Sequence, residues 1–453
     1  MGILITALVV SWVIYMIIKK HYPQAVLLTA GIVLLLATYF SGTSSILEAK
    51  QSSGSAFLDI FHTIKVLLSS RVAGLGLTIM SIAGFARYME YIGASKSLFA
   101  IVASPLKRVK SPYILLIFSF YVSQFLVLFI PSHAGLALLL MVTLYPILIR
   151  AGVSKLSALG VIGCAQYMDV GPGSGNAILA ANICKLDPAV FFVDYQLPIF
   201  FTTTLILGVV HYFVQKWWDE KEGINGYTVS ADGIKEDEER PPLIYAILPI
   251  VPMAFILGFS PIFKSKIQMD VVTAMFLSTF ISMAFEYVRT KNFGATLQSL
   301  KYLYEGMGNS FATVVSLIVA GEVFAAGLTK IGAVDAMIAG TQNLGLGIHV
   351  LIIIFCIVIA ACAFLMGSGN AAFFSFAALA PKIAASLKID VVTLLLPMQI
   401  MTSFGRVMSP ITAAIVAIAG VAGVSPVQVV KRTAIPMVVA ALINIAFIFI
   451  NHS

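Results

Sequence analysis

The chain has 453 residues, of which 60% are hydrophobic and only 11% charged, and its formal net charge is +8. Soluble proteins have roughly 45–50% apolar and about 25% charged residues, so this composition excludes a soluble globular enzyme or binding domain. The basic residues lie mainly in short loops between apolar runs, which the positive-inside rule explains better than nucleic-acid binding does.

Apolar runs long enough to cross a hydrocarbon core of about 30 Å as helices recur along the whole chain. Ten spans are predicted, five in each half: 2–18, 24–41, 73–91, 156–186 and 197–214, then 242–259, 270–287, 310–328, 391–423 and 434–450. The first span lacks a preceding basic region and a cleavage site, so we expect it to be retained. The sequence therefore predicts an all-α polytopic membrane protein.

Two further apolar stretches, 112–149 and 346–386, carry a small or polar interruption midway, at Pro131–Gly135 and Gly367–Asn370. We predict that each is a re-entrant hairpin that enters and leaves the membrane on one face. Between the halves, 216–241 is the one long polar segment, and it has too few apolar residues to bury. We interpret it as a linker, which the distribution of Lys and Arg places in the cytoplasm, with both termini outside.

Short sequence features recur between the two halves. Ile92-Gly93-Ala94, for example, returns 239 residues later as Ile331-Gly332-Ala333 (331 − 92 = 239). Because each half has an odd number of spans, the second half must be inserted upside down relative to the first. We therefore predict two inverted repeats, 1–215 and 242–453, each with five spans and one hairpin.

Two of the spans, 156–186 and 391–423, are interrupted by small and polar residues at Gly171–Asn176 and Ser409–Thr412. Unwound backbone at membrane depth is tolerated only beside protein or a water-filled cavity, and interruptions at corresponding positions of two inverted halves point to a midplane binding site. After each interruption a half-helix begins, and its free N–H groups and dipole attract anions. The sequence thus predicts one anion site where the two hairpin tips and the two broken helices meet.

The candidate substrate-binding residues are the small and polar residues at these four points and one arginine: Ser132, His133, Gly173, Ser174, Asn176, Ser368, Gly369, Asn370, Arg406, Ser409 and Thr412. Arg406 is expected to clamp a substrate carboxylate through its planar guanidinium, and a structural ion pair with Asp169 is the alternative. Asp169 and His133 are candidates for carrying a coupling proton, although a hydrogen-bonded structural role for His133 is also open. We expect no metal site and no cofactor.

Other ionisable residues in the predicted spans are expected to have structural roles. Glu322, Arg87 and Glu90 are expected to pair with one another or with neighbours, or to reach the interface, and not to touch substrate. The four cysteines have no metal-ligand or CxxC spacing, so we interpret them as packing residues.

Several motifs carry a resemblance to a known family: Ser111-Pro112-Tyr113, Tyr245-Ala246-Ile247-Leu248-Pro249, Gly367-Ser368-Gly369-Asn370-Ala371, Gly405-Arg406, Ser409-Pro410, Ser425-Pro426 and Val429-Val430-Lys431-Arg432-Thr433. The chain closely resembles the anaerobic four-carbon (C4) dicarboxylate carrier family of the DcuC type over nearly its whole length. The first-half motifs depart from the family pattern, since Ser132-His133-Ala134-Gly135 stands where the family has Ser-Ala-Thr-Gly.

The resemblance implies a secondary transporter of the ion transporter superfamily, in which a transport part moves as an elevator against a scaffold. It also implies exchange (antiport), or proton-linked uptake (symport) or efflux, of fumarate, succinate, malate or aspartate in the bacterial cell inner membrane during anaerobic growth. The expected partners are the dicarboxylate, a proton or counter-substrate, and the lipid bilayer, with no nucleic acid. The sequence is compatible with a homodimer.

The sequence offers three alternative functions. A carrier of the same superfamily for another small organic anion or an amino acid is the nearest alternative. A membrane-embedded hydrolase is disfavoured because no Gly-x-Ser-x-Gly elbow or His-Glu-x-x-His helix occurs. A passive channel is disfavoured because hairpins and an inverted repeat favour alternating access.

Overall fold

The computed structural model describes residues 2–451 except 20, 43–44, 110, 224–240, 268, 334–335 and 337–347. All regular secondary structure within these ranges is helical, so the predicted all-α fold is confirmed. Most of the predicted linker lies outside the described residues. Its first part was assigned wrongly, because residues 216–221 continue the helix Leu197–Lys221.

The first half contains the helices Gly2–Ile18, Pro23–Ser41, Ala56–Arg71, Leu77–Tyr91, Ala94–Val102, Pro112–Val127, His133–Thr143, Tyr145–Arg150, Lys155–Gly163, Gly175–Ile183, Pro188–Val190 and Leu197–Lys221, with π-helical turns at Val72–Gly76 and Phe191–Gln196 and a 3-10 turn at Ser104–Arg108. Three of these helices begin at Pro23, Pro112 and Pro188, because the fixed φ of proline suits a first helical turn and its missing N–H is not needed there.

The second half contains the helices Val251–Gly258, Val271–Thr290, Phe293–Ser310, Ser316–Lys330, Ile348–Met366, Gly369–Ala377, Ala380–Leu387, Val391–Val407, Ala413–Ala422 and Pro426–Asn451, with a π-helical turn at Phe311–Val315 and 3-10 turns at Leu243–Ile250 and Pro261–Phe263. Each half therefore presents the same series of elements: a helix with a central π turn, a hairpin, a broken helix and a closing helix.

Eight helices in the described ranges are long and apolar enough to cross a membrane by length and composition, or nine if the bent pair Gly369–Ala377 and Ala380–Leu387 is one span. The eight are Pro23–Ser41, Ala56–Tyr91, His133–Arg150, Pro188–Lys221, Val271–Thr290, Phe293–Lys330, Ile348–Met366 and Pro426–Phe449. Of the four remaining predicted spans, 2–18 is the 17-residue helix Gly2–Ile18. The other three, 156–186, 242–259 and 391–423, are interrupted at segments that contain Gly, Ser or Pro.

Two helices are much longer than predicted. The first long helix, Ala56–Tyr91, has 36 residues, and the second long helix, Phe293–Lys330, has 38. The sequence predicted only 73–91 and 310–328, so both N-terminal boundaries were wrong. Polar residues interleave with apolar ones in the N-terminal half of each helix, and no continuous apolar run marks it.

The two long helices pack against each other in opposite directions. Leu77–Tyr91 lies against Phe293–Ser310, and Ala56–Arg71 lies against Ser316–Lys330. The two π turns meet between these contacts. Corresponding elements of the two halves therefore run antiparallel at this crossing.

Polar side chains contact the two long helices where they cross. A π turn leaves main-chain groups without the usual i to i−4 partner, and Gln24 Nε2 donates to the carbonyls of Ala312 and Thr313 at 3.4 and 3.3 Å. Beside the turns, Arg71 Nε lies 2.7 Å from Glu322 Oε1. Glu322 is thus ion-paired, which is one of the two outcomes predicted from the sequence.

The predicted hairpins are each two helical arms joined at the predicted interruption. The arms of the first hairpin are 112–127 and 133–150, and those of the second hairpin are 348–366 and 369–387. The first broken helix consists of Lys155–Gly163 and Gly175–Ile183, and the second broken helix consists of Val391–Val407 and Ala413–Ala422. The four cysteines are free thiols, and Cys164 and Cys356 are fully buried in the core.

Candidate functional site

The first broken helix loses its regular hydrogen bonds between residues 163 and 175, and side chains from other helices replace them. Gln124 Nε2 donates to the Cys164 carbonyl at 3.0 Å, and His133 Nε2 lies 3.3 Å from the Gly163 carbonyl. Both side chains belong to the first hairpin. The buried carbonyls at the end of Lys155–Gly163 are therefore satisfied, as buried main-chain groups generally are.

A pair of buried glutamines supports the middle of the same break. Gln196 Oε1 accepts from the Gly171 N–H at 2.9 Å, and Gln399 Nε2 donates to the Asp169 carbonyl. The two glutamines bind each other, with Gln196 Nε2 2.9 Å from Gln399 Oε1. Because Gly171 has φ +84°, the backbone can reverse between these two anchor points.

The second broken helix is supported by two threonines. Thr412 Oγ1 donates to the Arg406 carbonyl at 2.6 Å, and Thr433 Oγ1 donates to the Val407 carbonyl at 3.1 Å. The last carbonyls of Val391–Val407 thus find partners in the break itself and in the closing helix.

Four half-helices begin at the tips and breaks, and each begins at a hydroxyl residue. Ser132 Oγ accepts from the Gly135 N–H at 3.1 Å, Ser174 Oγ from the Ala177 N–H at 3.5 Å, and Ser368 Oγ from the Ala371 N–H at 3.3 Å. The fourth half-helix, Ala413–Ala422, has Thr412 at its N-cap. A capping hydroxyl that accepts in this way keeps its own O–H as a donor.

All four N-cap residues line one cavity of about 570 Å³. The cavity wall contains ten of the eleven predicted substrate-binding residues: Ser132, His133, Gly173, Ser174, Asn176, Ser368, Gly369, Asn370, Arg406 and Thr412. Asp169 lines it as well. Ser409 does not, because it is fully buried behind the second break.

Arg406 and Asp169 form an ion pair at the edge of this cavity. Arg406 Nη1 lies 3.2 Å from Asp169 Oδ2, and Nη2 lies 3.4 Å from Oδ1. Nη2 also donates to the Gln166 carbonyl at 3.0 Å. The structural pair, the alternative left open by the sequence, is therefore present.

The carboxylate of Asp169 has further partners. The amides of Gln166 and Asn176 both donate to it at 2.7 Å, and Ser403 Oγ donates at 3.3 Å. Asp169 therefore connects the two broken helices through both charge and hydrogen bonds. Arg406 and Asp169 are only 8% and 4% exposed, so each needs the other to offset the cost of burial.

The opposite wall of the cavity comes from the two long helices, and sequence reasoning missed it. Its polar members are Arg87, Glu90, Glu305, Asn309, Ser310 and Thr313. Arg87 Nη1 and Glu90 Oε2 pair at 3.2 Å, as expected from their spacing on one helix face. Their position in the cavity depends on how the long helices cross, which no local pattern reveals.

The side chains of the cavity differ from those of a metal site. Among the described residues, no group of three or more His, Cys, Asp and Glu side chains could hold a metal ion. The donors that face the cavity are hydroxyls, amides, the guanidinium groups of Arg87 and Arg406, and helix N-termini, which are the groups that bind oxyanions.

Two hairpins and two broken helices that meet at one polar cavity, in a chain with eight or nine helices apolar enough to cross a membrane, are the arrangement of a membrane transporter. The chain matches the sequence model of the DcuC family, described as C4-dicarboxylate anaerobic carrier, over residues 1–453. It belongs to this family.

Two curated relatives agree with that assignment. The chain is 36% identical over 437 residues to a Vibrio cholerae protein named probable anaerobic C4-dicarboxylate transporter DcuC, covering 96% of this chain and 94% of that protein. It is 33% identical over 443 residues to the Escherichia coli K12 anaerobic C4-dicarboxylate transporter DcuC, covering 98% and 95%.

A solved structure shares the fold. The crystal structure of the Alcanivorax borkumensis YdaH transporter, described as having an unusual topology, matches with a TM-score of 0.69 over 95% of this chain and 98% of that chain. At 16% identity this likeness shows the fold alone.

Proposed function

We propose that this chain is a secondary transporter of C4-dicarboxylates such as fumarate, succinate, malate and aspartate, working by exchange or by proton-coupled uptake or efflux in a bacterial inner membrane. The family and the names of its relatives support the substrate class. The observation that carries the proposal is the convergence of the N-termini of four half-helices on one cavity.

The charge of that cavity suits a dianion. Each helix N-terminus acts as about half a positive charge, so four of them together offer about the two charges that a dicarboxylate needs. The Arg406 guanidinium is largely neutralised by Asp169 in the absence of substrate. The helix N-termini therefore supply most of the attraction, and the hydroxyls of Ser132, Ser174 and Ser368 supply directional donors.

Arg406 keeps some capacity to bind substrate directly. Its two Nη groups carry four hydrogens and make three of the described hydrogen bonds. One Nη1 hydrogen and the Nε hydrogen have no partner among the described residues. Because Arg406 lines the cavity, we propose that a substrate carboxylate accepts from one of them while Asp169 stays bound.

For the transport cycle, we propose that the hairpins and broken helices move as one body against the long helices, and that the two halves are an inverted repeat. The antiparallel crossing of the long helices supports this arrangement. The interface that would slide lies between the tips, which carry the substrate donors, and the wall formed by Leu77–Tyr91 and Phe293–Ser310.

A counterflow assay with the purified full chain in proteoliposomes tests the function. Vesicles loaded with unlabelled succinate should accumulate labelled succinate, and external fumarate, malate or aspartate should compete with it. Citrate, a short-chain fatty acid and a neutral amino acid complete the panel. Counterflow of one of these three without any dicarboxylate counterflow would assign the chain to another substrate class.

A further inference from the structure

The long-helix wall of the cavity carries charges that the proposed binding of a dicarboxylate does not use. Arg87 and Glu90 lie on the first long helix, and Glu305 lies on the second. The side chains of Arg87 and Glu90 are 48% and 36% exposed, so both reach the space inside the cavity. This wall therefore has two acidic groups and one basic group among the described residues.

The side chain of Glu90, which lies on the first long helix, reaches Gly135 of the first hairpin. A Cβ placed on Gly135 would lie 2.7 Å from Glu90 Oε1 and 2.9 Å from Ser132 Oγ. Gly135 is in the first turn of the half-helix His133–Thr143, whose N-cap is Ser132. The Glu90 carboxylate thus rests against one of the four positive helix N-termini, and the absence of a side chain at Gly135 gives it room.

The two hairpins differ in this respect. Ile92 corresponds to Ile331 in the internal repeat, so Glu90 corresponds to Thr329, which has no charge. The first hairpin tip therefore has a protein carboxylate next to its helix N-terminus. At the equivalent position of the second half, Thr329 provides no carboxylate. A negative charge that rests on one of four N-termini lowers the positive potential available to a substrate.

We infer that Glu90 is a specificity-determining residue that limits the charge of the substrate: its carboxylate lies at the first hairpin tip, weakens the attraction of that helix N-terminus for anions, and so disfavours a third negative charge. The inference rests on the proposed function, because it assumes that anions bind between the tips. Arg87 holds Glu90 in place through their ion pair.

The variant Glu90→Gln tests this inference because it removes the charge and keeps the size of the side chain. In the counterflow assay, KM is measured at one pH for a monocarboxylate, succinate and a tricarboxylate. Glu90→Gln should lower the KM of the tricarboxylate by about tenfold relative to the monocarboxylate, since like charges brought together in a binding site oppose binding. Succinate should fall between the two.

Two further variants make the outcome specific. Glu305→Gln removes the same charge from the same wall but leaves Glu90 at the tip, so it should change the KM ratio much less. Glu90→Asp, which draws the carboxylate back by one methylene, should give a partial shift. It also serves if Glu90→Gln protein fails to fold.

An unchanged KM ratio in Glu90→Gln, or an equal change in Glu305→Gln, would overturn the charge-limit role. A wild-type protein with no dicarboxylate counterflow would instead overturn the proposed function. The two failures are therefore distinguishable.

Discussion

Gln196 and Gln399 are hydrogen-bonded to each other at 2.9 Å although they belong to different halves of the chain, and each also binds the backbone of the first break. Both are fully buried. They link the closing helix of the first half, the second broken helix and the segment Asp169–Gly171 into one unit.

Replacing Gln399 with Met should destabilise the protein by about 1–3 kcal/mol, because the Asp169 carbonyl and the Gln196 amide would lose their partners while buried. The measurement is thermal or denaturant unfolding in detergent. Gln298→Met is the matched control, because Gln298 is exposed on the second long helix. Equal stability of both variants would contradict a supporting role for Gln399.

Replacing Asn370 with Leu should abolish transport and leave membrane insertion intact, because the half-buried Asn370 lines the cavity at the second tip. Leucine fits the volume but cannot donate to a carboxylate. Asn292→Leu is the control, since Asn292 is the exposed N-cap of Phe293–Ser310 and does not line the cavity. Counterflow by Asn370→Leu at the wild-type rate would exclude the second tip from the site.

If coupling is to protons, an imposed pH gradient should drive uptake in the absence of sodium, and Asp169→Asn should weaken that response. Asp169 is the carboxylate that joins the two broken helices, so a change in its charge state would alter the Arg406 pair. Asp270→Asn is a suitable control, because Asp270 caps Val271–Thr290 and asparagine caps equally well. Uptake that strictly requires sodium would count against proton coupling.

Arg406→Lys should weaken substrate binding, and Arg406→Ala should weaken it by about 2–5 kcal/mol if a buried carboxylate is left unpaired. The double variant Arg406→Ala with Asp169→Ala removes both charges, so it should recover stability relative to either single variant without recovering succinate affinity. Both quantities are measured on the same purified proteins. Wild-type affinity in the double variant would exclude Arg406 as a substrate ligand.

Arg432 anchors the two closing helices and should be among the most sensitive positions for stability. It is fully buried, with Asp219 Oδ1 at 2.7 Å and Glu222 Oε2 at 2.6 Å. Arg432→Met should lower the free energy of unfolding by about 3–5 kcal/mol, because it leaves buried Asp219 without its counter-charge.

The comparison for Arg432 is Lys216→Met, which breaks an exposed pair with Glu220 at 3.9 Å. Such surface pairs contribute about 0–1 kcal/mol. Equal free energies of unfolding for Arg432→Met and Lys216→Met would contradict a stabilising role for the buried ion pairs of Arg432.

The sequence predicted the elements that carry their own local signal. The tips at Ser132 and Ser368 and the breaks at Ser174 and Thr412 are marked by small and polar residues inside apolar runs, and the structure has half-helices starting at all four. Gly367, with φ +62°, shows why glycine is needed at the second tip.

What the sequence did not predict depends on contacts between distant segments. Gln124, Gln196 and Gln399 are polar residues within apolar runs, and that was the signal available in the sequence. The main-chain groups that they bind are determined only by packing. The cavity role of Arg87 and Glu90 depends likewise on the crossing of two long helices. Charge and spacing alone predicted their ion pair and nothing more.

The π turns of the long helices each absorb one extra residue. A π turn spreads about one more residue over a single revolution than an α turn does, so the α-helical segments on either side keep the phase of an unbroken helix. Deleting one residue within Val72–Gly76 should therefore convert it to an α turn and leave Arg71 on one side, and Arg87 and Glu90 on the other, facing their present partners. What the extra residue supplies is main-chain groups outside the α-helical hydrogen-bond ladder where the two long helices cross.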